Sequence, residues 1–447
     1  MTLDNAQTDM QRKLVSGLFW VLLANLIVKP FWIFGIEVGV QNAVGNGAYG
    51  LYAALFSFSY IFNILLDLGI TNFNTRNIAQ HPQLTGKHLS GILGIKICLL
   101  ALYMIVTFTA AAMMGYGSGE FRLLALLTLC QFLNSLILYL RSNFEGLMLF
   151  KWDSLFSVLD RMLMIVICGF LLWSPLRERF NIYWFVYAQL VAYGLTALLA
   201  LAVIARKAGF RRLRWDWRFF LVILRKSAPF ALLVLLMASY NRIDPILLRK
   251  LAGDADAGVY AGAFRMLDAL TMVCYLVSVL LLPVFSRLCR NDDSGQIADT
   301  IRLVFWPVML FSIGSAVTCT LLAEPIMHLF YSDGSAPYVP VFRVVIFGIV
   351  PIGLTYIFGT LLTAGGHLRQ LNVYAAATLV VNIVVNMLLI PRLGAVGSAW
   401  ASLTAQCFMA VAQFVVAMRL FHLPWSTFRL PDVADFRHLV AMMKEKM

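Results

Sequence analysis

Charged residues are scarce in this chain of 447 residues. They make up 13% of it, whereas hydrophobic residues make up 61%. Ordinary soluble domains carry about 25% charged and about 45–50% apolar residues. Such a chain could not cover a soluble surface with polar groups. The composition therefore excludes a cytosolic enzyme and a disordered chain, and it predicts a membrane protein.

Cysteine is also sparse and unpatterned. The seven cysteines are scattered singly along the chain, and no two of them form a C-x-x-C pair. Isolated cysteines of this kind are typical of small buried apolar residues. We therefore expect no disulfide-built secreted module, no metal site and no cofactor.

Long apolar runs fill most of the chain. A helix of about 20 apolar residues crosses a hydrocarbon core of about 30 Å, and twelve runs reach this length. They are 14–38, 49–69, 89–115, 121–140, 154–174, 182–205, 228–248, 259–285, 303–331, 341–363, 371–391 and 394–419. The first run is too long for a signal peptide and lacks a cleavage site, so we expect it to remain as a span.

Acidic residues are outnumbered, with 22 Asp and Glu against 35 Lys and Arg. Most of the basic residues fall between spans on the side of the N-terminus. The positive-inside rule then predicts a multi-pass protein of the bacterial inner membrane with both termini cytoplasmic. The predicted organisation is an N-terminal six-helix lobe (1–205), a basic linker (206–227), a C-terminal six-helix lobe (228–419) and a cytoplasmic tail (420–447).

The linker mixes arginines with Trp215, Trp217, Phe219 and Phe220. This composition suits an amphipathic helix on an anionic leaflet, and it equally suits an ordinary positive-inside loop.

The two halves share short patterns in the same order. Gly50-Leu51-Tyr52-Ala53 near the start of the second span matches Gly258-Val259-Tyr260-Ala261 near the start of the eighth. Because six is an even number of spans, the halves have the same orientation. A duplicated unit with a pseudo-twofold axis along the membrane normal is therefore expected.

Some basic residues lie inside the predicted spans, where a charge costs about 2.5–3.5 kcal/mol on insertion scales. We interpret them as lining a central water-filled cavity that binds an anion such as a diphosphate. The alternative is snorkelling or salt bridges between helices. Only Asp160 adjoins Arg161 in its own helix, and we expect it to point away. The candidates are Lys29, Lys96, Arg161, Arg242 and Arg265.

Acids and asparagines complete the candidate site. Asp67, Asp244 and Asp268 are candidates for gating or for binding a coupling Na⁺ or H⁺. Asn382 and Asn386 share a helix face, so both can line one cavity, although buried asparagines also join helices. The polar cavity candidates are Asn25, Asn241, Asn382 and Asn386.

Five stretches of the sequence resemble a known family. They are GAYGLY with LLDLGITNFNTR (47–52 and 65–76), NRIDPILLRKLAGDADAGVYAGAFRMLD (241–268), LLTAGGHLRQLN (361–372) and NIVVNMLLIPRLGAVGSAWAS (382–402). In these residues the chain is similar to the polysaccharide flippases of the multidrug/oligosaccharidyl-lipid/polysaccharide exporter superfamily.

The resemblance implies an all-α, V-shaped membrane protein with twelve helices in two lobes that works by alternating access. The implied cargo is an undecaprenyl-diphosphate-linked oligosaccharide of lipopolysaccharide O-antigen or capsule. Membrane lipids and the polysaccharide polymerase machinery are the implied partners of a monomer that binds no nucleic acid. The resemblance supports Arg242 and Arg265 as cavity residues, and more loosely Lys29, but it does not reach Lys96 or Arg161.

Two other functional classes compete with this interpretation. A cation-coupled multidrug exporter of the same superfamily should favour acidic over basic cavity residues, because its cargoes are cationic. A membrane enzyme such as a polymerase or acyltransferase needs a catalytic constellation, and the sequence shows no Ser/His/Asp, metal-ligand or phosphate-loop motif. We therefore expect a transporter and not an enzyme.

Overall fold

The computed structural model describes residues 30–81, 85–208, 217–290, 294–331 and 334–429, together with Val28 and Gln83. Throughout these residues the regular elements are helices, and no strand occurs in them. This agrees with the prediction of an all-α protein.

The N-terminal helices follow one another through short turns. They are a π-helical segment Phe31–Glu37, α1 (Val38–Ile61), a 3₁₀ turn Phe62–Leu66, α2 (Ile70–Gln80), α3 (Thr85–Met113), α4 (Ser118–Gly146), α5 (Phe150–Phe156), α6 (Leu159–Trp173), a 3₁₀ turn Pro175–Arg179 and α7 (Ile182–Ala208).

The C-terminal helices include the longest ones. They are α8 (Trp217–Ala252), α9 (Asp254–Arg290), α10 (Ser294–Leu321), α11 (Ala323–Phe330), α12 (Tyr338–Val345), a 3₁₀ turn Ile346–Gly348, α13 (Ile349–Ala364), α14 (Leu368–Leu420) and a 3₁₀ turn Trp425–Phe428.

The chain folds into two compact units, Met1–Ala238 and Ser239–Met447. Their division falls inside α8, which already begins at Trp217 within the predicted linker. Residues 209–216 of that linker and residues 430–447 of the predicted tail lie outside the described part of the chain. The predicted placement of the linker on a leaflet stays a prediction.

Nine helical segments in the described residues are long and apolar enough to cross a membrane. Twelve spans were predicted, and the difference has structural causes. Phe31–Leu66 and Leu368–Leu420 each run through two predicted spans, and α8 contains the seventh. Several large side chains on the outside of these helices are mostly exposed, for example Val166 at 69% and Leu388 at 64%. Such side chains suit contact with lipid, which is as apolar as they are.

The structure has two helix breaks at positions that matter for the candidate sites. One lies where a short loop between the last two spans was predicted, and the other lies at the end of the predicted span 49–69. Gly394 interrupts α14 with φ of 55°, and a Cβ atom there would lie 2.6 Å from Oδ2 of Asp256. Only glycine fits both the left-handed backbone and this close approach. In the N-terminal unit, Leu68 (φ 46°) and Gly69 (φ 82°) separate the turn after α1 from α2.

The packing next to this N-terminal break positions a charged side chain. Ile92, Ile95 and Leu99 of α3 are buried together with Tyr139 and Phe144 of α4. The spacing of these α3 residues places Lys96 in the same interface, deep in apolar surroundings.

Candidate functional sites in the two units

Lys96 is fully buried in a polar cluster of the N-terminal unit, where its exposed fraction is 0%. Its ammonium donates to the carbonyl oxygen of Leu66 at 2.7 Å and to Ser135 Oγ at 2.8 Å. It also forms a salt bridge with Asp67 Oδ1 at 3.1 Å. An ammonium has three donor hydrogens, so these three acceptors satisfy it completely.

The helix break creates the acceptors of this cluster. Leu66 is the last residue of the 3₁₀ turn, so its carbonyl oxygen has left the regular ladder and is open to Lys96. Asp67 on the other side accepts hydrogen bonds from the main-chain nitrogen of Thr71 at 3.3 Å and from the Thr71 hydroxyl. Its carboxylate therefore caps the first turn of α2 while it pairs with Lys96.

Lys96 and Asp67 were both sequence candidates, for cargo binding and for ion binding or gating. The structure brings them together as an ion pair between helices. A cargo would reach the Lys96 ammonium only if this cluster opened, so its cargo contact stays a prediction. The pairing corresponds to the alternative interpretation, in which buried charges join helices.

Arg161 of α6 is more open, with 31% of its side chain exposed. Its guanidinium lies 5.3 Å from the ring centre of Trp32 and 6.0 Å from that of Tyr193, both within reach of a cation–π interaction. The Arg161 Nε atom is 3.6 Å from Asp160 Oδ2. The expectation that Asp160 points away was therefore wrong, because a long arginine side chain bends back to its neighbour on the helix.

The surroundings of Arg161 contain a second acid that sequence reasoning missed. Trp32 donates from Nε1 to Glu37 Oε1 at 3.0 Å. Both residues belong to the π-helical segment, whose wider turn places residues five apart along one side. An arginine, two carboxylates and aromatic rings thus share one region of the N-terminal unit.

Asp244 of α8 is a buried acidic residue of the C-terminal unit. Its Oδ1 atom accepts hydrogen bonds from Asn382 Nδ2 at 3.0 Å and from Asn386 Nδ2 at 2.8 Å. The hydroxyl of Tyr260 donates to Oδ2 at 3.0 Å. These three donors are neutral, so they stabilise a carboxylate without cancelling its charge.

The sequence identified three members of this cluster separately. Asn382 and Asn386 were placed on one helix face by their spacing, and the structure confirms that face by a hydrogen bond of 2.9 Å from Asn386 Nδ2 to Asn382 Oδ1. Their spacing did not predict that Asp244, which belongs to another helix, lies against both asparagines. Tyr260 was noticed only as part of the pattern shared by the two halves.

Arg265 of α9 is buried and donates to the hydroxyl of Tyr331 at 2.7 Å. Tyr331 stacks on Tyr338 with ring centres 4.0 Å apart. Gly262, one turn before Arg265, makes room for this stack, since a Cβ atom there would lie 2.6 Å from the Tyr338 ring. Arg265 is thereby held at the junction of α9 with the segment between α11 and α12.

Three further candidates lie in α8 and α9. Arg242 is half-buried in α8, whereas Asn241 and Asp268 are exposed. Lys29 and Asn25 lie outside the described residues, so their predicted roles stay predictions.

The folded chain resembles solved membrane transporters over most of its length. An inward-facing multidrug resistance transporter of the MATE family, in the MOP superfamily, is 15% identical with a TM-score of 0.67, covering 90% of this chain and 94% of that one. Lipid II flippase MurJ in an inward closed conformation is 14% identical with a TM-score of 0.69, covering 91% and 89%. A MOP superfamily transporter from Pyrococcus furiosus, described as having a binding pocket of reversed polarity, is 15% identical with a TM-score of 0.57, covering 91% and 93%.

These likenesses show the fold, a multi-span helical architecture with two lobes that is shared with solved transporters of the MOP superfamily. The model of the family described as polysaccharide biosynthesis protein matches residues 14–289, and the MatE model matches residues 229–388. The chain belongs to the polysaccharide biosynthesis protein family. Among curated protein sequences, none matches it significantly.

Proposed function

We propose that this protein moves undecaprenyl-diphosphate-linked oligosaccharides across the bacterial inner membrane by alternating access. Basic side chains bind the diphosphate while the glycan crosses, and the polyprenyl tail stays in lipid. Both termini face the cytoplasm, and the polysaccharide polymerase machinery takes up the cargo on the other side. The protein acts as a transporter, without changing the cargo covalently.

The observation that carries this proposal is the position of Arg161. It is an arginine inside a membrane-crossing helix, and nearly a third of its side chain is open. Guanidinium groups bind phosphate oxygens in pairs, and the flanking rings of Trp32 and Tyr193 hold the group in place. The match of the polysaccharide biosynthesis family to residues 14–289 includes this site and supports the same cargo.

The test compares two arginines that both lie over aromatic rings. Arg161→Ala should abolish surface polysaccharide in a host whose own copy of the gene is deleted, whereas Arg161→Lys should retain part of it. The matched control is Arg122→Ala. Arg122 is near the start of α4, and its guanidinium lies 5.4 Å from the ring centre of Tyr183. Normal polymer from Arg161→Ala at wild-type expression would contradict the assignment.

A cation-coupled multidrug exporter is the second candidate. It is favoured by the MatE match over residues 229–388 and by the acids beside Arg161, which suit a cationic cargo. The same strains separate the two functions. If Glu37→Gln lowers resistance to cationic drugs while surface polysaccharide stays normal in every variant, the exporter function replaces the flippase function.

We further propose that Asp244 binds the coupling cation, Na⁺ or H⁺. A buried carboxylate held only by neutral donors is costly to keep charged in apolar surroundings, and a bound cation or proton would remove that cost. The Oδ1 atom of Asn386 is buried without a hydrogen bond to any described residue, and an amide oxygen of this kind is a suitable ligand for a small hard cation.

The coupling role is tested with two aspartates of the same unit. Asp244→Asn should reduce surface polysaccharide to the level of the deletion strain, because the variant has no charge for the cation to neutralise. Asp268→Asn is the matched control, since Asp268 is exposed. If Asp268→Asn is the damaging change and Asp244→Asn is not, the coupling site lies at Asp268 instead.

A further inference from the structure

The part of α14 that follows Gly394 has a line of polar side chains on one face. Ser398, Ser402, Gln406 and Gln413 are all buried, and we refer to these four residues as the α14 polar track. Successive residues of an α-helix are rotated by about 100°, so the four side chains fall within an arc of about 80°. A buried polar face in a membrane-crossing helix costs free energy unless its groups have partners.

The track begins at the Asp244 cluster. Ser402 lies close to the Asp244 carboxylate and to Tyr260. Gln406 Nε2 donates to Ser402 Oγ at 3.2 Å. A line of polar groups therefore runs from the carboxylate along one turn of α14.

Several polar atoms of the track have no protein partner in the described part of the chain. Both amide atoms of Gln413, Oε1 of Gln406 and Oγ of Ser398 are buried without a hydrogen bond to any described residue. Gln413 is only 1% exposed and lies against Gly359 of α13, where a Cβ atom would be 2.9 Å from its Oε1. Buried groups of this kind are usually satisfied by water molecules, each of which makes two to four hydrogen bonds.

The spacing of the two glutamines sets the size of the gap. Seven residues separate Gln406 from Gln413, which is about 10 Å along a helix. This is too long for a direct hydrogen bond between the amides, and a row of waters between them would have to pass the buried Met409 side chain on the same face. Since α14 runs towards the predicted cytoplasmic end at Arg419, the row leads from Asp244 to that end.

We propose that the α14 polar track holds a file of water molecules and is the route by which a small monovalent cation, H⁺ included, passes between Asp244 and the cytoplasm. The proposal rests on the coupling role of Asp244. The contrasting interpretation is a dry interface in which the glutamines only join helices.

Silver ions test whether the track contains water, because Ag⁺ is about as small as the cations concerned and reacts with thiolates. In a full-length variant whose seven native cysteines are replaced, Gln413→Cys and Gln406→Cys are introduced singly. Ag⁺ is applied to inside-out membrane vesicles, and the remaining thiols are counted with a fluorescent maleimide after denaturation. Two matched positions serve as controls: Ala401→Cys, which is buried outside the arc, and Val411→Cys, which lies on the exposed side of the same helix.

A hydrated track should make both glutamine positions react about tenfold or more faster than the two controls, because a thiol in apolar surroundings rarely ionises. Equal rates at all four positions would show a dry interface and would overturn the proposal.

A second experiment tests whether the track is the route. Ser402→Cys beside Asp244 should react with Ag⁺ applied from the cytoplasmic side, and adding Gln413→Leu should slow this reaction about tenfold by removing a water partner. Val411→Leu is the control for the second substitution. An unchanged rate with Gln413→Leu would overturn the route.

Neither measurement needs the glycan cargo, so failure of the track is distinguishable from failure of the proposed function. Reactive track cysteines combined with normal transport by Asp244→Asn would contradict the coupling role and leave the hydrated track standing.

Discussion

In the N-terminal unit the buried Lys96 ammonium faces a carboxylate, whereas in the C-terminal unit the buried Asp244 carboxylate faces neutral donors. Lys96 and Asp67 cancel each other within 3.1 Å. Asn382, Asn386 and Tyr260 stabilise Asp244 only through hydrogen bonds. The first cluster has no electrostatic need for a further ligand. A cation at the second cluster would supply the opposite charge that its hydrogen-bond partners lack, and this is why we propose ion coupling for the C-terminal unit.

The pattern shared by the two halves contains one tyrosine in each unit, and the two hydroxyl groups make different contacts. Tyr52 and Tyr260 hold the same place in it, and both are buried. The hydroxyl of Tyr52 accepts a hydrogen bond from the amide of Gln189 at 2.8 Å, whereas that of Tyr260 donates to Asp244. A tyrosine hydroxyl can do either, so one repeated position serves a neutral contact in one unit and a charged one in the other.

The largest expected effect follows from breaking the N-terminal ion pair. Lys96→Met should lower the free energy of unfolding by about 3 kcal/mol, because it removes the partner of Asp67, whose side chain is only 28% exposed, and leaves the Leu66 carbonyl with the Ser135 hydroxyl as its donor. Denaturant titration of the purified protein in detergent measures this change.

Lys151→Met is the matched control for this experiment, since Lys151 is exposed on α5 and should tolerate the change. A Lys96→Met protein as stable as the wild type would mean that the pair does not hold the helix break. The Lys96–Asp67 pair could then no longer be contrasted with the Asp244 cluster as a stabilising charge pair.

The next effect concerns the C-terminal unit alone. Na⁺, or a lower pH when the coupling ion is H⁺, should stabilise the wild-type protein and have no effect on Asp244→Asn. A ligand at one hundred times its dissociation constant adds about 2.7 kcal/mol of stability. The melting temperature in detergent, with choline replacing Na⁺ at constant ionic strength, measures it.

Asp268→Asn should keep the full cation response, because that carboxylate is exposed. If the cation response survives in Asp244→Asn, the buried carboxylate does not bind the ion. The contrast between the units would then be structural only.

The sequence predicted which residues carry buried charge better than it predicted their partners. Apolar runs located the spans, and the spacing of Asn382 and Asn386 indicated their shared face. The partner of Lys96 was not predictable from its own helix. Asp67 reaches it because Leu68 and Gly69 break the preceding helix, and their left-handed backbone depends on tertiary packing.

The same limitation applies to the track on α14. Ser398, Ser402 and Gln406 are four residues apart, a spacing that indicates one helix face. Without the fold, that face could have been interpreted as turned towards another helix or towards the cavity. Only the structure shows that it is buried against α13 and begins at Asp244, where burial turns unremarkable polar residues into a candidate route.

The smallest expected effects come from removing a single hydroxyl group from each of the two clusters. Tyr260→Phe removes a donor from a carboxylate that has no countercharge, and such a bond is worth about 1.5–3 kcal/mol. Ser135→Ala removes one acceptor from Lys96, which keeps Asp67 and the Leu66 carbonyl, so the expected loss is only about 0.5–1.5 kcal/mol. Both losses are measured by denaturant titration in the absence of Na⁺. A larger loss for Ser135→Ala than for Tyr260→Phe would reverse the comparison, because the ammonium would then depend on its neutral partner more than the carboxylate does.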